Sequence, residues 1–232
     1  MSEYAKLKTE ACEANLEILR RNLALYTWGN VSVYDPERKV FAIKPSGVEY
    51  DKLTPASMVV IDLEGRVIEG NLKPSSDTAT HRILYQQFPG IREICHTHST
   101  YAVSWAQACR SVPVFGTTHA DHGALDIPCT EYMGQAAVQN NYELETGLLI
   151  AETFRKRNIN PLDMFMVLVA GHGPFTWGND AGKAVYHAVV LEEICKMAFL
   201  TLSLNAEAAS LPDHIIRKHW ERKHGPNAYY GQ

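Results

Sequence analysis

The chain has 232 residues, 46% of them apolar, which is enough for one substantial core because the fraction of surface buried on folding rises with chain length. Lys and Arg number 22 against 26 Asp and Glu, so the basic excess that would neutralise a phosphate backbone is missing and nucleic acid is not an expected partner. Five cysteines (Cys12, Cys95, Cys109, Cys129, Cys195), odd in number and without a C-x-x-C pair, suit reduced thiols rather than a disulfide framework.

The first residues, Met1 to Glu13, mix charges and carry no apolar stretch. The longest apolar run, Met164 to Ala170, falls far short of the roughly 18 residues that a membrane span needs. A soluble, unexported, cytoplasmic protein with no membrane partner is expected.

Leu7, Ala11, Ala14 and Ile18 recur at three- and four-residue steps, and Leu16, Leu19 and Leu23 widen the stripe, so residues 3–24 are expected to form an amphipathic helix. Val31 to Tyr34 and Val40 to Ile43 are β-branched or aromatic runs joined by Asp35-Pro36-Glu37-Arg38, a hairpin signal. Met58 to Leu63 continues the strand pattern, and Glu64-Gly65 turns the chain into Val67 to Glu69. Asp77 stands where an N-cap belongs, ahead of a helix over 78–88.

Ile94 to His98 has the pattern of a strand and Tyr101 to Cys109 that of a helix. Further on, Tyr142 to Arg157 and Ala181 to Leu204 suit helices on either side of a strand at Met164 to Ala170. Lys223 to Gln232 shows no periodicity, and no repeat or Pro/Gly/Ser-rich linker divides the chain, so residues 1–232 are expected to be a single domain. Early hairpins with helices between later strands favour an α/β fold in the broad sense. A central, mainly antiparallel sheet with helices on its faces is expected, rather than a doubly wound parallel sheet.

His96-Thr97-His98 is the sharpest local signal, because residues two apart on an extended strand project from one face and bring two imidazoles within reach of one cation. His172, in Gly171-His172-Gly173-Pro174 just past a strand end, is a geometrically reasonable third ligand. Three protein ligands leave a zinc position open for substrate oxygens. Asp77 is either an added ligand or a carboxylate behind the ligands. The bland alternative stays open at this level: H-x-H occurs by chance, and histidines beside glycines also serve as packed or capping residues. A cupin-type site would need a glutamate a few residues downstream, which Ser99, Thr100, Tyr101 and Ala102 do not supply.

Several segments occur together and in order: Thr27-Trp28-Gly29-Asn30-Val31-Ser32, Ile43-Lys44-Pro45-Ser46-Gly47, Lys73-Pro74-Ser75-Ser76-Asp77-Thr78 and His96-Thr97-His98-Ser99. Gly116 to Asp121, His172-Gly173-Pro174-Phe175 and the tail Arg222 to Gln232 follow. This series resembles the class II aldolase/epimerase family, and within it the L-ribulose-5-phosphate 4-epimerases, over essentially the whole chain. The chain departs from the family pattern at His122-Gly123-Ala124, where aromatic residues usually follow the aspartate.

The resemblance implies a zinc held by His96, His98 and His172, with Asp77 at or beside it, although manganese or cobalt also suit such a donor set. It implies a ring-shaped homotetramer with active sites between subunits, and epimerisation of L-ribulose 5-phosphate to D-xylulose 5-phosphate in arabinose or ascorbate catabolism. Inverting a hydroxyl-bearing carbon with no adjacent carbonyl calls for retro-aldol cleavage to dihydroxyacetone enediolate and glycolaldehyde phosphate, followed by re-addition. Gly29-Asn30, Ser46-Gly47 and Ser75-Ser76 match the family's substrate-binding positions, with Lys44 adding charge nearby. Each pair alone would suit an ordinary turn.

By the same resemblance Asp121 and Tyr230 are the proton donor and acceptor on the two sides of the aldehyde. The resemblance further implies that Tyr230 and His219 are contributed by a neighbouring subunit. The alternatives are a class II aldolase that releases its products, of the L-fuculose 1-phosphate type, and a non-catalytic metal-binding sensor of sugar phosphates.

Overall fold

Short apolar runs that bury side chains on both faces dictate a sheet covered by helices on each side. The computed structural model, which describes residues 2–226 and 228–230, has that arrangement. Its strands are β1 (Asn30–Asp35), β2 (Val40–Ile43), β3 (Val59–Asp62), β4 (Val67–Glu69), β5 (Glu93–His96), β6 (Met166–Val169) and β7 (Gly173–Gly178). They form one sheet in the order β4-β3-β2-β1-β5-β7-β6, and every neighbouring pair is antiparallel.

The helices are α1 (Ala5–Arg20), α2 (Thr78–Gln87), α3 (Thr100–Gln107), the single turn α4 (Thr117–Ala120), α5 (Gln135–Lys156), α6 (Lys183–Leu204) and α7 (Asp213–His224). The period-two alternation sorts the strand residues into two cores. Phe41, Ile43, Ile61 and Ile94 pack with α2, α3 and α5, whereas Val40, Ala42, Val60 and Cys95 pack with α1. The beginning of α6 joins the α1 core through Ala184, Val185 and Ala188, and its later turns join the other through Leu191, Ile194 and Cys195.

Asn15 ties α1 to the sheet. Its Nδ2 donates to the Val31 carbonyl at 2.8 Å, and its Oδ1 accepts the Val31 N–H at 2.8 Å. Glu93 does the same for α6: its buried carboxylate accepts from the N–H groups of Gly182 and Ala184, at 3.1 and 2.7 Å, at the helix start. Burial pushes the Glu93 carboxyl up to about 7 against those donors, which pull it down.

The structure departs from the sequence reading at several ends. Helix α1 stops at Arg20 because Asn22 takes a left-handed φ of 57°, and the Leu23 N–H folds back onto the Ile18 carbonyl. β5 ends at His96, so His98 lies beyond the strand. α5 starts at Gln135, but Asn141 breaks it and caps the second piece by accepting the Leu144 N–H, so the regular helix begins where expected, at Tyr142. β7 and α7 are additions. All five cysteines are free thiols, and no helix among the described residues is long and apolar enough to cross a membrane.

Candidate active site

The register of the sheet places Asn30 of β1, His96 of β5 and Phe175 of β7 side by side. His96 is buried and stacks on the Phe175 ring with centroids 4.3 Å apart. Its Nδ1 lies 2.9 Å from the Pro174 carbonyl oxygen, so Nδ1–H donates there and the Nε2 lone pair is left free. That Nε2 is 3.1 Å from the Nε2 of His98, in the segment after β5. His172 completes the group from the turn between β6 and β7, where Gly171 adopts a left-handed φ of 71°.

One ligating nitrogen from each of His96, His98 and His172 lies within 4.8 Å of the others. Bonds of about 2.0–2.1 Å to a tetrahedral cation set neighbouring ligand atoms about 3.4 Å apart, so the donor set fits a divalent metal. Burial, reinforced by the neighbouring His96, pushes the His172 imidazole down to about 4 and lowers that of His98, which keeps both rings in the neutral form a metal needs. The Tyr142 hydroxyl, 3.3 Å from the His172 Nδ1, orients that ring.

Asp77 occupies the N-cap position of α2 but makes no capping bond. Its carboxylate instead accepts the Asn30 Nδ2–H at 2.6 Å. Burial opposes its charge, yet the adjoining His96 and His81 rings, the Asn30 bond and His172 outweigh burial and hold the carboxyl below its ordinary range. Asp77 is drawn away from its helix terminus by the Asn30 bond. It stands outside the three-histidine group itself.

The histidines open onto a cleft of about 620 Å³ that also receives Gly29, Asn30, Lys44, Ser46, Gly47, Ser75, Ser76 and Asp77. Two straps build its rim. The Ser46 N–H donates to the Lys73 carbonyl at 2.9 Å and the Ser75 N–H to the Lys44 carbonyl at 3.0 Å, so these two amides are engaged and unavailable to an anion. Burial pushes the Lys44 ammonium down to about 8; it donates to the Thr27 carbonyl at 3.2 Å and sits 5.0 Å from the centre of the Tyr50 ring. The Tyr50 hydroxyl in turn holds the Trp28 carbonyl at 2.7 Å. Asn30 Oδ1 is buried without a partner, an acceptor that a substrate hydroxyl can fill.

Residues 9–199 match the family described as class II aldolase and adducin N-terminal domain. The chain belongs to the class II aldolase family. An L-ribulose-5-phosphate 4-epimerase of Salmonella paratyphi C is 49% identical to it over 227 residues, 98% of this chain and 99% of that protein. Among solved structures, an L-fuculose 1-phosphate aldolase superimposes with a TM-score of 0.81 at 27% identity, covering 96% of this chain and 97% of the other. A second, from Glaciozyma antarctica, shares the fold with a TM-score of 0.76 at 18% identity, over 97% and 84% of the two chains.

Asp121, His219 and Tyr230 do not line the histidine cleft of their own chain. They gather elsewhere with one another. Asp121 follows α4, and its Oδ1 lies 3.1 Å from the His219 Nδ1 of α7. The Arg222 guanidinium grips both Asp121 oxygens and lies 4.2 Å from the centre of the Tyr230 ring. Burial works against the Asp121 charge, but Arg222 and His219 outweigh it and hold the carboxyl below its ordinary range.

The family departure at His122 has a structural account. His122 Nδ1–H donates to the Thr118 carbonyl at 2.8 Å, its Nε2 accepts the Tyr186 hydroxyl at 2.7 Å, and the two rings lie 5.7 Å apart. A Cβ on Gly123 would meet Met164 Cε at 3.0 Å, the mobile end of a flexible side chain.

Sequence reasoning did not single out Tyr142 and Glu143 of the cleft, nor His81, nor Arg222. His81 was within reach, since Asp77, His81 and Tyr85 fall at four-residue steps on one face of α2. His81 Nδ1 and the Tyr85 hydroxyl each lie 2.7 Å from Ser32 Oγ, a buried chain behind the three-histidine group. Tyr142 touches His172 across thirty positions of sequence, and no local pattern announces such a pair.

Proposed function

We propose that residues 1–232 form one catalytic domain that epimerises L-ribulose 5-phosphate to D-xylulose 5-phosphate at carbon 4, with zinc or a similar divalent cation held by His96, His98 and His172. The observation that carries this reading is the convergence of three imidazoles and the small polar residues of three separate segments on one cleft. The 49% identity to an epimerase over nearly the whole chain supports the substrate.

The bond between carbons 3 and 4 breaks as the carbon 4 hydroxyl gives up its proton, leaving an aldehyde that carries the phosphate and an enediolate that carries the electron pair. Re-addition to the opposite face of the aldehyde restores the bond and the proton with inverted configuration. A cation bound at the histidines supplies stabilisation of the negative charge that develops on the carbonyl half. Asn30 Oδ1 accepts a substrate hydroxyl. The Gly47 and Ser76 amides with the serine hydroxyls hold the phosphate, and Lys44 supplies charge beside them.

Asp121 and Tyr230 exchange the proton on the two sides of the aldehyde, with His219 beside Asp121. Because these three residues gather away from the histidine cleft of their own chain, they serve the cleft of a neighbouring copy; the assembly proposed is a homotetramer, acting in the cytoplasm. Light scattering of the purified protein tests the assembly, and an active monomer would refute it. Product analysis tests the reaction: D-xylulose 5-phosphate without release of fragments is expected. Free dihydroxyacetone and glycolaldehyde phosphate in quantity would move the reading toward an aldolase like the L-fuculose 1-phosphate enzyme that shares the fold.

A further inference from the structure

We propose that Arg222 is the positioning residue of the acid/base apparatus, fixing Asp121 and Tyr230 relative to each other so that the two present themselves as one rigid unit. The inference rests on the reading of Asp121 and Tyr230 as proton donor and acceptor, and it assigns the element that sets their geometry.

Arg222 makes three different connections at once. Its Nε and Nη2 donate to Oδ1 and Oδ2 of Asp121, the first at 2.9 Å, a two-pronged grip that fixes the plane of the carboxylate as well as its position. The guanidinium carbon sits over the Tyr230 ring, 4.2 Å from its centre. Its backbone carbonyl accepts the N–H groups of Tyr229 and Tyr230, at 2.9 and 3.1 Å, which folds the tail back over α7. The sequence is arranged for this: His219 and Arg222, three residues apart on α7, reach the same carboxylate, and His224 Nε2–H donates to the Asp121 carbonyl at 3.0 Å.

Two simpler roles fit less well. An ordinary surface ion pair is worth little, but the Asp121 side chain is only 10% exposed and that of Arg222 only 22%, and the grip is bidentate. A phosphate anchor would need a free fork on the guanidinium. The side-on edge is taken up by Asp121, so an anion would meet only the Nη1/Nη2 end, and the split between KM and kcat in the Arg222 variants separates the two roles.

The test compares Arg222→Gln and Arg222→Lys with Asp121→Asn and Tyr230→Phe in the metal-loaded protein. Misplacing a proton-transfer pair by about 1 Å costs on the order of 10²-fold, so both Arg222 variants are expected to lose about that factor in kcat. KM is expected to change by less than about threefold, and metal content to stay unchanged. The acid limb of the pH profile should move to higher pH in both variants, because the groups left around Asp121 are His219, His224, His122 and Tyr186, none of which replaces the fork.

Full turnover in Arg222→Lys would overturn the proposal by showing that charge alone suffices. A raised KM with kcat preserved would overturn it in favour of substrate binding, and loss of fold in both variants would make Arg222 purely structural. If Asp121→Asn and Tyr230→Phe lose activity while the Arg222 variants keep it, this inference fails alone. If those two variants remain active, the underlying assignment of donor and acceptor fails with it.

Discussion

Gly29→Ala should cost the protein its metal before it costs the fold. Gly29 has a φ of 75°, and a Cβ built on it would lie 2.7 Å from the carbonyl oxygen of His96, about 0.7 Å inside the 3.4 Å at which ordinary contact begins. The obstructing atom is backbone at the end of β5, so relief requires moving the residue that carries the first imidazole. Ligand constellations tolerate displacements of about 0.5 Å, and a loss of about 10–100-fold in metal affinity is expected. The left-handed conformation adds about 1–2 kcal/mol of backbone strain. Gly182→Ala separates the two effects: Gly182 has the same φ of 75°, has nothing within 4 Å of its Cβ position, and lies outside the cleft. Metal titration and thermal unfolding of the two variants, side by side, give the comparison. Similar melting losses with metal affinity lost only in Gly29→Ala support the geometry, and equal metal affinity in the two variants would refute it.

Tyr142→Phe removes the hydroxyl beside His172 and should weaken metal binding by about tenfold with little change in unfolding, as read by competition with a chelator. Asn15→Leu leaves the Val31 N–H and carbonyl buried without partners and should cost about 2–4 kcal/mol in urea denaturation, with no direct effect on metal content. Glu93 has a folded-state pKa near 7, raised by burial from an ordinary 4.5. A group raised in this way contributes most to stability below pH 4.5, and that contribution is lost as pH rises through 7. Denaturation between pH 5 and 8 should show that slope in the parent protein, and Glu93→Gln, which cannot titrate, should flatten it. An unchanged slope in the variant would remove Glu93 as its source.

The central elements were legible because their physics is local. The β1–β2 hairpin announces itself through β-branched runs around Asp35-Pro36, and α2 through the break at Ser75-Ser76-Asp77. β7 escaped notice because Gly173-Pro174 at one end and Gly178 at the other resemble a loop, and because a strand buried on both faces shows no alternation. α7 escaped because its apolar residues, Ile215, Ile216 and Trp220, are few among charged neighbours and none is fully buried. Its charged face has another use, since it carries His219 and Arg222 to Asp121.

In the site, His96 and His98 were visible as a spacing, although the reason given for them was only half right: β5 ends at His96, and the segment leading into α3 aims His98. The serine pairs match substrate-binding positions by resemblance, but the Ser46 and Ser75 amides serve the pairing of the two straps, a long-range contact that spacing cannot reveal. The separation of Asp121, His219 and Tyr230 from the histidine cleft is likewise a property of the folded chain. It makes assembly part of the proposed chemistry.

The measurement that tests this account most directly is conversion of L-ribulose 5-phosphate by the purified protein, first stripped of metal by chelation and then restored with zinc. The account predicts no D-xylulose 5-phosphate from the stripped protein and full formation on restoration, with His172→Asn inactive in both. Unchanged conversion after verified removal of metal, or no conversion with zinc bound at the three histidines, would contradict it.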